Sequence, residues 1–184
     1  QGKRREGIFF LHYENVPSLS LFHCMYLINR GARRLLFLHS EVDGNARNRQ
    51  FQQQLDLGNE IVHRLFVIDD AFAQCAPGDF DALMDVSPQA GFGKDLSDCT
   101  FTNRRQALAA ALRSLVSRSG SQATLRPQEG MPFAALSCNR ARCTECMACL
   151  NECKIEALVA DQQQLCLNHV GAMCVGCGLC VRVC

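Results

Sequence analysis

The sequence lacks three features, and each absence excludes a class of protein. It has no run of about 18 apolar residues, so no segment is expected to span a membrane as a helix. Its 19 basic and 18 acidic residues leave a formal charge of +1, so we expect no nucleic-acid partner. Its basic start passes into an alternating apolar segment without a signal-type cleavage site, and we therefore expect a cytoplasmic protein.

Cysteine, in contrast, is abundant and unevenly distributed. Of the 13 cysteines, only Cys24, Cys75 and Cys99 lie before residue 137, and the other ten follow it. Small secreted domains use such a density for disulfides, whereas reduced cytosolic proteins use it for metals. Because the preceding sequence is poor in cysteine and has no export signal, the pattern favours metal binding.

The amino-terminal part of the chain predicts a βαβ unit with a parallel sheet. The apolar runs 7–14, 35–41 and 61–69 have the length and composition of strands. The first two are separated by a segment that opens at Pro17, has apolar residues at helical spacing and closes at Gly31. Strands that alternate with helices of this length form parallel sheets with right-handed crossovers.

Further helices are predicted in the same region. A polar, Gln-rich helix should end at Gly58 and Asn59, residue types that are common at helix C-termini. A short helix is expected within 78–86 and a longer one, rich in Ala and Leu, within 102–120. These elements predict a small three-layer α/β domain over 1–120.

The remainder of the chain divides into a linker and a second domain. Residues 121–131 combine proline, glycine and polar side chains in the manner of a linker. Residues 132–184 contain most of the cysteines and form the predicted second domain.

This second domain contains one four-cysteine motif twice. CxxCxxCxxxC occurs at 143–153 and again at 174–184, and every cysteine recurs after the same interval (174 − 143 = 31). Three thiolates at i, i+3 and i+6 on one tight loop can reach three corners of an iron–sulfur cube. The fourth, predicted to start the following helix, points the other way and serves the other cube.

The spacing therefore predicts two [4Fe-4S] clusters with crossed ligation. Zinc is the alternative, but zinc sites usually take two CxxC pairs that are farther apart, so a third cysteine three residues on would be superfluous. The predicted ligands of the first cluster are Cys143, Cys146, Cys149 and Cys184. The predicted ligands of the second cluster are Cys174, Cys177, Cys180 and Cys153.

Residues 131–184 resemble the bacterial-type 2[4Fe-4S] ferredoxin domain. The stretch MPFAALSCNRARCTECMACLNEC is similar to the four-iron ferredoxin proteins associated with proteobacterial formate dehydrogenases. The resemblance implies a ferredoxin-like α+β fold for this part. The family places proline after the fourth cysteine and continues into a closing strand, whereas here Lys154 follows Cys153 and the sequence stops at Cys184. We therefore expect these residues to be a segment of a longer protein.

The amino-terminal part resembles the small iron–sulfur, delta-type subunit of methyl-viologen-type hydrogenases. The resemblance rests on the DGN sequence that opens a polar helix, and the cysteines that would hold a cluster in that subunit are missing here.

Four polar residues follow the first two predicted strands and could form a ligand site. The carboxyl ends of adjacent parallel strands are where open α/β sheets bind ligands. Strand ends are also commonly polar because they meet solvent, so a solvated sheet edge is the alternative. The four residues are His12, Glu14, His39 and Glu41.

Other residues are predicted to have supporting roles. Cys24 lies on the apolar side of the first helix and should be a core residue. Cys138 should neighbour the first cluster without ligating it, and Cys166 fits a strand between the motifs. The arginines of the 102–120 helix are expected to form a mostly solvated face, where an acidic redox partner could dock. These arginines are Arg104, Arg105, Arg113 and Arg118.

Together these features predict electron transfer by a carrier that is not itself an enzyme. Two clusters would pass single electrons between a redox partner, such as a formate dehydrogenase or related oxidoreductase, and an acceptor. Gly176 and Gly178 should leave room for N–H donors to sulfur, and Lys154 should favour the reduced form of the second cluster. One alternative is a redox-enzyme component whose α/β domain binds a substrate or nucleotide; another is a protein in which the clusters are only structural.

Overall fold

The computed structural model describes residues 11–12, 15–38, 46–79, 103–122, 131–164 and 166–184. The described part mixes helices and small sheets, in coarse agreement with the predicted α/β class. The three-layer arrangement and the ferredoxin-like fold remain predictions. The α-helices are α1 (Leu21–Asn29), α2 (Ala46–Phe66), α3 (Arg104–Ser119), α4 (Ala148–Glu152) and α5 (Leu179–Arg182). The strands are β1 (Leu35–Leu38), β2 (Phe72–Cys75), β3 (Leu158–Asp161) and β4 (Cys166–His169).

The first predicted helix is confirmed as α1, preceded by a 3₁₀ turn at Val16–Ser18. The backbone N–H of Leu21 donates to Gln54 Oε1 at 2.8 Å, so α2 satisfies one of the open donors at the start of α1. The chain leaves the helix through Gly31, whose φ of 100° suits glycine. Cys24 is buried on the inner side of α1, as predicted.

The observed bounds of helix α2 differ from the sequence prediction. The predicted helix end at Gly58 and Asn59, and the predicted strand 61–69, are both wrong because α2 continues to Phe66. Buried residues recur at helical spacing along the whole of α2. The burial of this apolar face therefore outweighs the tendency of Gly and Asn to end helices. The buried residues that carry this spacing are Phe51, Leu55, Gly58, Val62 and Leu65.

Gly58 and Asn59 attach α2 to the second strand. A Cβ atom on Gly58 would lie 2.9 Å from two atoms of the Phe72 ring, so only glycine permits this close approach. The Asn59 side chain accepts a hydrogen bond from the Phe72 N–H and donates one to the Phe72 carbonyl, both at 2.9 Å. The helix ends instead at Phe66, and the next residue, Val67, has a φ of 57°.

Strands β1 and β2 form a parallel pair in which Leu35 is opposite Phe72. The parallel arrangement agrees with the prediction, although β2 lies after the segment that the sequence suggested. The predicted strand 7–14 lies outside the described residues except for Leu11 and His12, which have no regular structure.

Helix α3 is confirmed within the predicted range 102–120. Asn103 Oδ1 caps its start by accepting a hydrogen bond from the Gln106 N–H at 2.9 Å, and Gly120 ends it with a φ of 63°. Leu108 and Leu115 of α3 belong to the main core, which α1, α2 and β2 also build. The predicted 78–86 helix is described only at its start, where Pro77–Asp79 form a 3₁₀ turn, and most of the predicted linker 121–131 lies outside the described residues.

The cysteine-rich region consists of short elements. β3 and β4 form an antiparallel hairpin in which Leu158 is opposite His169, and Cys166 lies on β4 as predicted. A small apolar cluster of Ala109, Ala157 and Met173 joins α3 to this region. No helix in the described ranges combines the length and apolar character required to cross a membrane.

Candidate metal centre

The sequence duplication extends to the backbone of the two cysteine loops. Glu145 and Met147 have φ values of 54° and 59°, and the residues 31 positions later, Gly176 and Gly178, have φ values of 70° and 73°. In each copy an α-helix starts directly after the second of these residues. Left-handed backbone is costly for Glu and Met, so the same loop shape is imposed in both copies, and only the second copy uses glycine for it.

The first group of thiols combines residues from both motif copies. The pKa of Cys138 is raised, first by a side-chain hydrogen bond to Cys143, then by lost hydration and by negative charge on Cys143, Cys184 and Cys149. Helices α4 and α5, which follow the two cysteine loops, are in contact, so the two motif copies lie side by side.

The second group of thiols also combines both copies. The pKa of Cys180 is raised by burial and then by negative charge on Cys174, Cys153 and Cys177. Cys153 belongs to the first motif in the sequence, yet it packs against the same small apolar cluster as Cys174 of the second motif. The predicted assignment of ligands to two clusters stays a prediction, and this packing is the geometric observation that bears on it.

The position of the fourth cysteine differs from the sequence prediction. It does not start the following helix, because α4 begins at Ala148 and ends at Glu152, before Cys153. Cys153 is the residue after the helix, with φ −79° and ψ 82°, so its backbone has already left the helical path. Cys184 likewise follows the end of α5, at Arg182. The fourth cysteine of each motif therefore lies after the helix that follows its own loop.

Backbone and hydroxyl donors point at two of the sulfur atoms. The pKa of Cys146 is lowered, chiefly by a hydrogen bond from the Ala148 N–H and then by one from Thr144. The Ala157 N–H donates to Cys153 Sγ at 3.3 Å. Hydrogen bonds of this kind stabilise negative charge on sulfur and therefore favour thiolates.

None of the eight predicted ligands forms a disulfide, and they are accessible to different degrees. Cys143, Cys146, Cys177 and Cys184 are exposed, and the other four are half-buried. Among the described residues, no three or more His, Cys, Asp or Glu side chains converge to hold a single metal ion. A [4Fe-4S] cube differs, because each of its irons takes one thiolate.

The chain shows no match to known proteins: no protein-family model, no curated protein and no solved structure matches it. Interpretation of the site therefore depends on its cysteines and on the residues around them.

The second candidate site is only partly described. His12 is exposed and lies in a segment without regular structure. Glu14, His39 and Glu41 lie outside the described residues, so the predicted ligand site at the sheet edge stays a prediction.

The arginines of α3 were predicted to form a mostly solvated face, and two of the four, Arg105 and Arg118, depart from this prediction. Arg118 donates to Asn29 Oδ1 and, at 3.4 Å, to the Asn29 carbonyl, which connects α3 to the end of α1. Arg105 is half-buried and donates to three backbone carbonyls of the cysteine-rich region. Arg104 and Arg113 are exposed, as predicted.

The sequence contains a signal for the half-buried position of Arg105. It lies four residues before Ala109, which is fully buried, and three before Leu108, so helical spacing places all three on one side. The contact partners themselves are distant in the sequence and could not be inferred from that spacing.

Proposed function

We propose that this protein transfers single electrons through two [4Fe-4S] clusters. The observation that carries the proposal is that the two motif copies meet: α4 contacts α5, and Cys153 of the first motif packs against the same small apolar cluster as Cys174 of the second. The thiols that raise the pKa values of Cys138 and Cys180 likewise come from both copies. Such crossed groups are expected where three cysteines of one loop and the fourth cysteine of the other motif hold one cube.

The chemistry of the donor set fits iron–sulfur clusters. Cysteine thiolates are the usual ligands of these clusters, and both groups consist of cysteine. When bound, the clusters would supply reversible one-electron chemistry. The residues of the chain would hold the clusters, stabilise thiolate charge through the Ala148 and Ala157 N–H groups, and limit the access of water on the half-buried side.

Lys154 supports a role in tuning the second cluster. It follows Cys153 directly, and its Nζ donates to the Asn151 carbonyl at 3.1 Å, which holds the ammonium group near the end of α4. A positive charge beside a cluster favours its reduced form, because reduction adds negative charge.

The proposal extends to fold, location and partner. Residues 132–184 would adopt a ferredoxin-like α+β fold, after a three-layer α/β domain over 1–120. The protein would act in the cytoplasm as a carrier for a redox partner, such as a formate dehydrogenase or related oxidoreductase.

The first experiment is metal analysis of anaerobically purified protein. Eight ligands in two groups predict about eight iron and eight sulfide per chain. One or two zinc per chain without sulfide would contradict the proposal.

The second experiment tests the crossed groups by EPR spectroscopy. Cys184→Ser should alter the same cluster signal as Cys143→Ser, whereas Cys153→Ser should alter the same signal as Cys174→Ser. Cys166→Ser is the matched control, because this thiol lies on β4 and should leave both signals unchanged. Pairing by position in the sequence, Cys143 with Cys153, would refute crossed ligation.

The third experiment tests electron transfer itself. Loss of either cluster should slow electron delivery from the partner enzyme to an acceptor, while the partner's turnover with an artificial dye remains unchanged. Full delivery rates after the loss of both clusters would remove the proposed function.

A further inference from the structure

Arg105 connects α3 to the loop that contains Cys174. Its Nη2 donates to the carbonyl of Cys174 at 2.6 Å and to that of Pro132 at 2.5 Å, and its Nε donates to the carbonyl of Met173 at 3.1 Å. The centre of the guanidinium lies 5.0 Å from the centroid of the Phe133 ring. One side chain therefore gathers two segments of the cysteine-rich region around a single positive charge.

The electrostatic environment links this charge to the second group of thiols. The hydrogen bond from Nη2 to the Cys174 carbonyl places the guanidinium directly beside Cys174, a predicted ligand of the second cluster. The positive charge therefore lies next to the loop that would hold this cluster. Half-burial of Arg105 strengthens the effect of this charge, since a less hydrated charge is less screened by water.

The position of Arg105 is fixed from the other side. Ala109, one turn further along α3, is fully buried against a small cluster that includes Ala157 and Met173. Leu108 and Leu115 of the same helix belong to the main core. Because α3 packs against both the main core and the small apolar cluster, the Arg105 guanidinium is attached to a rigid helix.

We propose that Arg105 is a positioning residue that holds the Cys174 loop and raises the reduction potential of the second cluster. This inference rests on the proposed electron-transfer function. Reduction adds a negative charge to the cluster, and a fixed cation nearby stabilises the reduced form. The guanidinium also neutralises partial negative charge on the carbonyl oxygens of Met173 and Cys174, which would otherwise oppose reduction.

Arginine is required here for its shape as well as its charge. Its planar group can donate to several carbonyls at once while it lies over an aromatic ring, whereas lysine presents a compact ammonium. Arg105→Lys keeps the charge and loses most of this geometry. Arg105→Met keeps an apolar stem against Phe133 and removes both the charge and the donors. The two variants therefore separate the positioning and electrostatic contributions.

The test is a redox titration of the cluster-containing protein, followed by EPR. The second cluster is identified as the one whose signal changes in Cys174→Ser. Arg105→Met should shift the potential of this cluster to more negative values and alter its signal, while the first cluster keeps its potential. Arg105→Lys should give a smaller negative shift. Arg113→Met, at an exposed position of the same helix, should leave both potentials unchanged.

The outcomes distinguish this inference from the proposed function. Wild-type protein without iron and sulfide would refute the proposed function. Two intact clusters with unchanged potentials in Arg105→Met would refute the role of Arg105 and leave electron transfer standing. If Arg105→Met retains only the first cluster's signal, that selective loss supports the positioning role, whereas equal loss of both signals contradicts it.

Discussion

The attachment of α2 to β2 through Asn59 gives a direct test of the corrected fold. The Asn59 amide makes two hydrogen bonds to the Phe72 backbone, one in each direction and both at 2.9 Å. Asn59→Ala removes both at once and leaves the Phe72 N–H and carbonyl without these partners. Phe72 itself is only 2% exposed, so the change falls at the edge of the core.

The expected loss of stability follows from these two groups. An unsatisfied buried donor or acceptor costs about 1–3 kcal/mol. Asn59 is half-buried, so water can partly replace the lost amide, and we take the lower half of this range for each group. Alanine also favours the helix over asparagine by about 0.5 kcal/mol, which offsets part of the loss. The free energy of unfolding should therefore fall by about 1.5–3.5 kcal/mol.

The measurement is urea unfolding followed by circular dichroism, together with hydrogen exchange at the Phe72 amide. Asn59→Ala should lower the unfolding midpoint and accelerate exchange at Phe72. Asn59→Asp should lose less stability than Asn59→Ala, since it retains an acceptor for the Phe72 N–H. Gln53→Ala, at an exposed position of the same helix, is the control. A change in Asn59→Ala below about 0.5 kcal/mol, the usual effect at a surface site, with unchanged exchange at Phe72 would show that the helix does not dock here.

Two further predictions concern packing and pH. Gly58→Ala should destabilise the protein by about 1–2 kcal/mol in thermal unfolding, because overpacking against the Phe72 ring outweighs the helix preference of alanine. Gly78→Ala is the control and should be nearly neutral, since no atom lies within 4 Å of the added Cβ. Equal destabilisation by the two substitutions would contradict the close approach of Gly58 to Phe72. Burial raises the pKa of the Cys24 thiol from 9.0 to about 12, so the unfolded chain releases this proton first and stability is lost as the pH rises from about 9 to 12. Urea unfolding should show that Cys24→Ala loses less stability than wild type over this interval, and parallel pH profiles would exclude the effect.

Local signals were sufficient for several elements because their causes are local. The Pro17 to Gly31 segment contains the helix α1, and α3 lies between Asn103 as N-cap and Gly120 as C-cap. Cap side chains and left-handed glycines act within a few residues, so they are legible in the sequence. The duplicated cysteine motif is legible for the same reason, and its repeat predicted equivalent loops.

The predicted end of α2 at Gly58 and Asn59 was wrong because of contacts with a distant segment of the chain. Gly58 and Asn59 are typical of helix ends when only neighbouring residues are considered. In the folded chain the missing side chain of Gly58 admits the Phe72 ring, and the Asn59 amide binds the Phe72 backbone. The helical spacing of Phe51, Leu55 and Val62 was the signal that could have extended the predicted helix.

The sequence by itself determined the two cysteine motifs, their common interval and the local starts and ends of α1 and α3. Only the tertiary structure decided that α2 continues to Phe66, that Cys153 and Cys174 pack against one apolar cluster, and that Arg105 contacts the Cys174 loop. The physical reason is the separation along the chain over which each interaction acts. Backbone preferences and capping are fixed by neighbours in the chain, whereas the grouping of thiols and the burial of a charge depend on which distant segments pack together.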